Sequence, residues 1–299
     1  MQPREAIMNI QVQYVLFNTP IDSIRKSILS FCNSAKLCNV GICFALGNAS
    51  KTDYPSCERE ELAILSGAEG VPIGYTFFDE NTGYGKGHNL LAQDSDSDVL
   101  IFCNPDLIVS GSFFREILAP FVADDAVGIV EARQSPIEHP KAYSLETGET
   151  EWASGACMAI WTKLFQYLGG FDARTFFMYS EDVDLSWRVR LYGYKVIYRP
   201  EAVAYHPKRL NSGARWMPTS TEEYYASETA LLLAYKWNNN NRVSKLLEVF
   251  ENGTPSQQQA RKAFLKRKAA GTLPNQIVDD EQVASFYPTG TYAKHRFDL

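Results

Sequence analysis

Three groups of residues in this chain have side chains that could work together on one reaction. Asp106 follows the apolar run 98–103, which reads as a buried strand stopped by Asn104 and Pro105. Pro105 fixes its own φ and pushes Asn104 towards an extended backbone, so Asp106 is presented just past the strand's carboxyl end. That edge is where open α/β sheets bind ligands. Glu181, Asp182 and Asp184 form a second acidic group behind Ser180, and His206 closes a later apolar stretch. A carboxylate, an acid cluster and an imidazole, each at the edge of a predicted element, imply metal-assisted group transfer.

Each group also has a plainer reading. Asn, Pro and Asp are favoured in any turn that ends a strand, so Asp106 is either a hard oxygen ligand for Mg2+ or Mn2+ or a turn residue. Ser180 reads as an N-cap, and acids in the first turn of the following helix offset its dipole. The same helix start would hold a general base firmly, and the two roles are compatible. His206 is a metal ligand or a hydrogen-bonded bystander. Asn81, Gly83, Gly85, Lys86, Gly87 and Asn89 make a glycine-rich stretch leading into a helix. It would let the backbone approach a ligand closely with Lys86 at hand for phosphate, or it is an ordinary strand-to-helix loop. Lys208, Arg209 and Arg215, in the loop 207–220, would fold over a departing diphosphate or sit in solvent.

The elements that must position these groups alternate. Strands are predicted over 11–17, 40–46, 73–78, 98–103, 126–131, 155–161 and 195–205, the last interrupted at Pro200. Helices are predicted between them over 21–34, 58–66, 87–93 and 112–122, and another begins at Glu181 with Leu185, Val189 and Tyr192 as its apolar stripe. Such alternation implies a largely parallel sheet with helices on both faces. The polar stretch 135–152 breaks the rhythm and reads as an excursion over the sheet's edge. After residue 220 the pattern turns helical over 221–237, 242–250 and 257–270, so the division expected is a domain of residues 1–220 and a helical extension of 221–299.

Bulk properties narrow the function further. With 299 residues and 45% hydrophobic content the chain can bury one large core. Its net charge of -6 argues against a nucleic-acid partner. No apolar stretch approaches the roughly 20 residues needed to span a bilayer, and residues 1–9 lack a signal-peptide core. Six scattered cysteines without a Cys-x-x-Cys pair fit a reducing cytoplasm and no zinc site. Arg261, Lys262, Lys266, Arg267 and Lys268 around Phe264 would suit the inner face of a membrane as a peripheral contact, or an ordinary solvated helix.

Together the motifs resemble those of the family 2 nucleotide-sugar glycosyltransferases, which have the GT-A fold, and among them the rhamnosyltransferases. They run in order through 14–18 (YVLFN), Asn48 to Ser50, Asn81 with Gly83, Gly85 and Asn89, Asn104 to Asp106, Ser154 to Ala156 and 169–172 (GGFD). Phe177, Tyr179, Glu181, Asp182, Asp184, Leu185 and Arg188 follow, then Pro200 with His206, so the likeness covers roughly residues 10–210. The resemblance implies a Rossmann-like, mostly parallel sheet flanked by helices and an inverting transfer of a sugar from a nucleoside diphosphate. It makes Asp106 and His206 the ligands of Mn2+ or Mg2+, and Asp182 the general base with Glu181 and Asp184 as nearest rivals. Asn18, Asn48, Asn81, Gly83, Gly85, Lys86, Asn89 and Asn104 would line the nucleotide side. Trp152, Gly155 and Ala156 would lie near the sugars, and Arg209 near the diphosphate. The favoured donor is dTDP-rhamnose, with a glycan or lipid-linked saccharide of bacterial surface polysaccharide synthesis as acceptor. A UDP-hexose or galactofuranosyl transferase, or a non-catalytic nucleotide-sugar-binding module, is the alternative. The chain departs from the family pattern at Asn104, where the first acid of an Asp-x-Asp motif is usual. It departs again at Gly47, where an acid contacting the base is usual and for which Asp53 is the candidate substitute.

Overall fold

The structure is a computed structural model and describes residues 8–207 and 217–297. Strands β1 (Asn9–Leu16), β2 (Gly41–Asn48), β3 (Ile73–Phe77), β4 (Val99–Cys103), β5 (Ile108–Val109), β6 (Val127–Ser135), β7 (Cys157–Trp161) and β8 (Lys195–Tyr205) form one sheet in the order β3-β2-β1-β4-β7-β6-β8-β5. The sheet is mixed: β7 runs antiparallel to β4 and β6, and β5 antiparallel to β8, while the other four pairings are parallel. Every residue of β4 is buried, as expected of a central strand covered on both faces.

Helices α1 (Ile21–Cys38), α2 (Ser56–Glu69), α3 (Gly83–Ala92), α4 (Phe113–Ala123), α5 (Thr162–Tyr167) and α6 (Glu181–Leu191) flank the sheet. In α1 the residues Ile24, Ile28, Phe31, Cys32 and Ala35 are buried, one stripe at helical spacing. Phe31 packs edge-on against Phe44, Phe113 and Phe114, so one aromatic side chain joins α1 to β2 and α4. The helix stops at Asn39, whose left-handed backbone lets its N–H bond Ala35 and Lys36 carbonyls.

Pro200 interrupts the pairing of β8 and leaves the strand continuous. Residues 200–202 are taken up between the pairs Ala132↔Arg199 and Arg133↔Val203. Such a bulge removes the need for a ladder hydrogen bond that proline lacks the N–H to make, and it sets which residues of β6 face the end of β8.

Helices α7 (Ser220–Lys236), α8 (Asn240–Glu251) and α9 (Pro255–Ala269) follow. Thr219 with Glu222 and Thr254 with Gln257 close capping boxes at the starts of α7 and α9. The helices beyond residue 220 pack on the region before it. Trp152, Phe176, Val183 and Trp187 share a hydrophobic cluster with Leu231, Phe264, Val283 and Ala293. The tail beyond α9 returns to the excursion of residues 135–152: Ala142 N–H donates to Lys294 O at 2.8 Å, Arg296 N–H to Pro140 O at 2.7 Å, and Tyr287 Oη to Glu151 Oε1 at 2.7 Å. In α9, Ala260 and Phe264 are packed in protein, while Leu265 is exposed. Among the described residues no helix is long and apolar enough to cross a membrane.

Candidate active site

The ends of three elements, β4, β6 and α6, meet at the turn formed by Ser154, Gly155 and Ala156. Asn104, at the carboxyl end of β4, donates its N–H to Ala156 O at 3.0 Å. Gly155 donates its N–H to Asp182 Oδ2 at 2.8 Å. Gln134 Nε2 reaches Ser154 Oγ at 3.1 Å, and Gln134 Oε1 lies 3.1 Å from His206 Nδ1. The far nitrogen of that ring, Nε2, lies 3.1 Å from Asn104 Nδ2 and 3.7 Å from Asp106 Oδ1. Asp106, His206 and Asp182, remote in sequence, are thus tied to one turn at the sheet's edge. Burial pushes the Asp106 carboxyl up.

The three acids of α6 sit in different surroundings. Asp184 is fully buried; its Oδ2 accepts from Arg188 Nε at 2.8 Å, and its Oδ1 from Lys236 Nζ at 2.7 Å and Trp237 Nε1 at 3.0 Å. It fastens α6 to α7. Glu181 is buried with no hydrogen-bond partner at Oε2, and burial, with the neighbouring Asp182 and Asp184 charges, pushes its carboxyl far up. Asp182 is partly accessible, and both its oxygens accept backbone N–H groups, Gly155 at one and Val183 at the other, each at 2.8 Å. Burial raises its pKa, while those two donors and Lys141 pull it back. Ser180 stands at the N-cap without capping: its backbone is left-handed at φ 65°, and its Oγ donates to Thr229 Oγ1 at 3.1 Å. Tyr179 before it also has a positive φ of 72°. Two successive strained residues ahead of an acid pair are a cost of about 1–3 kcal/mol each, of a kind that clusters at functional sites.

The glycines of the stretch at 83–87 are packed closely against protein. Helix α3 starts at Gly83, four residues before the expected start, and the glycines make room for protein. A Cβ on Gly85 would stand 3.0 Å from Phe171 Cβ, and one on Gly87 2.6 Å from Val15 Cγ2. Gly83, at φ +66°, would place a Cβ 2.2 Å from the Phe177 carbonyl oxygen, whose backbone accepts from Tyr84 N–H. Gly83→Ala should therefore lower stability by about 1–3 kcal/mol, read as a fall in the urea midpoint at unchanged m. Asn81 Oδ1 accepts from Gly83 N–H at 3.2 Å, and Lys86 pairs with Glu80 at 2.5 Å. Asn89 uses both ends of its amide on the backbone of Phe171, at 2.8 and 2.9 Å. Lys86 and Asn89 border a cavity of about 610 Å³ with Asp172, Arg174 and Lys236; neither Asp106 nor His206 lines it.

At the ends of β1 and β2, Asn18 has a left-handed backbone, and its N–H donates to Ser50 Oγ at 2.8 Å. Asn48 is fully buried, donating to Tyr75 Oη at 2.9 Å and accepting from Ser50 N–H at 3.0 Å. Tyr75 in turn donates to Asp53, which Arg59 approaches at 3.3 Å. A side chain at Gly47 would meet the Phe78 ring at 2.3 Å, so that ring fills the space in which an acid would point. Trp152 is buried under the Lys141 ammonium, 3.9 Å from the ring centroid, and Lys141 also pairs with buried Glu131. Arg209, with Lys208 and Arg215, lies outside the described residues.

Sequence reasoning passed over Gln134, Tyr84, Glu131 and Lys141. Tyr84 Oη donates to Gly155 O, and Gln134 supports His206. The signal for one of them was present: Glu131 is a charged residue closing the apolar run of the expected strand 126–131, where burial demands a partner, whereas Gln134 lies beyond that expected end, in the part of β6 that continues to Ser135.

Among the described residues no cluster of three or more His, Cys, Asp or Glu could hold a metal by itself. Asp106 and His206 nevertheless fit a shared ion: an oxygen and an imidazole nitrogen face one another, and Mg2+ or Mn2+ takes few protein ligands when substrate phosphates and water supply the rest.

The family model "Glycosyl transferase family 2" matches residues 15–187. The N-acetylglucosaminyl-diphospho-decaprenol L-rhamnosyltransferase of Mycobacterium tuberculosis is 33% identical over 111 residues, 36% of this chain and 32% of that protein. The chain thus matches about a third of the length of that relative. Rhamnosyltransferase WbbL of Escherichia coli is 24% identical, covering 50% of this chain and 72% of its own. Two solved structures share the fold at 14% identity. A mannosyltransferase from Pyrobaculum calidifontis, in complex with GDP-Man and Mn2+, has a TM-score of 0.57 over 89% of this chain and 80% of its own. GalNAc-T7, with UDP, GalNAc and Mn2+, has a TM-score of 0.61 over 91% and 60%. A mixed sheet of the GT-A type, a strand-end aspartate and an acid pair at a helix start all fall within or beside the matched span, and the chain belongs to glycosyltransferase family 2.

Proposed function

We propose that this chain moves a sugar from a nucleoside-diphosphate donor, dTDP-rhamnose being favoured, to a hydroxyl of a glycan or lipid-linked acceptor in bacterial surface polysaccharide synthesis. The observation that carries the reading is the shared turn. Asn104 and Asp182 are bonded to its adjacent residues Ala156 and Gly155, which brings a diphosphate side and an acceptor side to one edge. Support for the donor sugar comes from the rhamnosyltransferase names of the two relatives. The reading keeps the cytoplasm as its location, in line with six free cysteines.

Asp182 takes the acceptor proton as the acceptor oxygen bonds to the anomeric carbon and the bond from that carbon to the diphosphate oxygen breaks, with inversion. Its two backbone donors hold the carboxylate in place for this, and its partial accessibility leaves it open to a hydroxyl. Asp184 is the lock between helices, and Glu181 is held as the neutral neighbour. Asp106 and His206 would hold a divalent ion. Mn2+ or Mg2+, when bound, supplies positive charge to the leaving diphosphate. Asn18 and Asp53 stand at the strand ends where the nucleotide would rest.

The test is a donor panel: dTDP-rhamnose, UDP-glucose, UDP-galactose and UDP-galactofuranose, each with and without Mn2+, followed by thermal shift and release of nucleoside diphosphate. Selective stabilisation and turnover of dTDP-rhamnose is expected, with both lost in excess EDTA. Turnover of a UDP sugar alone would move the donor assignment, and a shift without turnover on any donor would favour a binding module.

A further inference from the structure

Gln134 is 3% exposed and sits behind His206, away from the face shared with Asp106. Its position follows from the bulge at Pro200. With residues 200–202 taken up there, Gln134 pairs with Ala204 and Ser135 with Tyr205, and His206 N–H continues the ladder to Ser135 O at 2.8 Å. The carboxamide then spans the imidazole and the turn, with Oε1 at Nδ1 and Nε2 at Ser154 Oγ, each at 3.1 Å.

The two ends of the ring agree on its proton. Asn104 Nδ2 is only a donor, so the Nε2 it meets must offer a lone pair; Gln134 Oε1 is only an acceptor, so the Nδ1 it meets must carry the hydrogen. The tautomer held this way makes Nε2 the basic nitrogen, on the side of Asp106; there it accepts from Asn104, whose amide must swing aside for an ion to take the same lone pair. We infer that Gln134 is a positioning residue: by accepting the Nδ1 hydrogen it fixes the ring's orientation and tautomer, so that His206 can serve as a divalent-metal ligand beside Asp106. Ser154 completes the device. Its Oγ accepts from Gln134 and from Ala156 N–H at 3.3 Å, which ties the imidazole to the turn that also holds Asp182.

The inference rests on His206 being a metal ligand, and direct Mn2+ titration separates the two claims. Free Mn2+ is followed by electron paramagnetic resonance on the full chain, without donor or acceptor, for wild type, His206→Ala, Gln134→Leu and Gln134→Glu, with each variant's melting temperature measured beside it. Loss of an outer-shell partner usually weakens metal binding about 10–100-fold, and that is expected of Gln134→Leu. Gln134→Glu keeps an acceptor at Nδ1 and can accept from the Ser154 hydroxyl, so it should bind Mn2+ as tightly as wild type or more so, whatever its buried charge does to stability. If His206→Ala weakens binding and Gln134→Leu, still folded, does not, the positioning role is wrong while the metal site stands. Should Gln134→Leu not fold, wild-type affinity in Gln134→Glu supports the role and a loss there overturns it. Unchanged binding in His206→Ala overturns both claims.

Discussion

Asp182→Asn should lower the transfer rate by about 10²–10⁴-fold, the usual contribution of a positioned general base, while donor binding stays at the wild-type value. Asparagine keeps an oxygen for one of the two backbone donors, Gly155 and Val183, so the helix start should hold its shape. The pH profile adds a second readout. Asp182 must be deprotonated to take a proton, so the rate falls as pH drops through its pKa, and burial places that limb above the ordinary aspartate value. Glu181→Gln is the contrast. Its carboxyl is pushed far higher by burial and by Asp182, so it is the group that stays neutral, and an amide there mimics the neutral acid. That variant should keep most activity and leave the acid limb where it was. Kinetics from pH 4 to pH 9 on the three proteins would show it; a large loss in Glu181→Gln with a mild one in Asp182→Asn would reverse the assignment.

Sequence patterns with short range were readable because they depend on local chemistry. Helices α7 to α9 lie within a few residues of the expected spans, since capping boxes and apolar stripes are written in adjacent residues. Asp106, Asp182 and His206 were legible as ends of elements, and the sheet brought those ends together. What the pattern could not carry was pairing over distance. Strand β7 enters between β4 and β6 in the antiparallel sense, and nothing in its residues sets that direction. The glycine-rich stretch left two readings open for a related reason. A glycine admits close approach without saying of what, and here the neighbours are Phe171, Phe177 and Val15. Asn48 and Asn89 have the side chains of ligand binders, but their amides are turned to Tyr75, Ser50 and Phe171. The return of the tail onto residues 138–151 rests on contacts such as that of Arg296 with Glu138, which no local signal foretells.

Lys141→Met should be the most destabilising of the substitutions considered, costing about 3–5 kcal/mol, because it leaves the Glu131 carboxyl buried without its partner. Burial pushes Glu131 up and Lys141 down, each towards its neutral form, against their mutual attraction. The direction at both ends says that desolvation outweighs the pair. Removing both charges should then be far milder than removing one: Glu131→Leu combined with Lys141→Met is expected to fall within about 1 kcal/mol of wild type or to exceed it. The pair therefore contributes more to placement than to stability. Lys141 also donates to the Trp152 carbonyl and lies over its ring, which fixes the wall beside the turn at residues 154–156. Its charge helps hold the Asp182 pKa down, so in whatever fraction of Lys141→Met remains folded the acid limb should move to higher pH. Urea melts of the two single variants and the double variant measure the coupling directly. A double variant as unstable as Lys141→Met alone would show that the pair holds the excursion in place by more than satisfying its own charges.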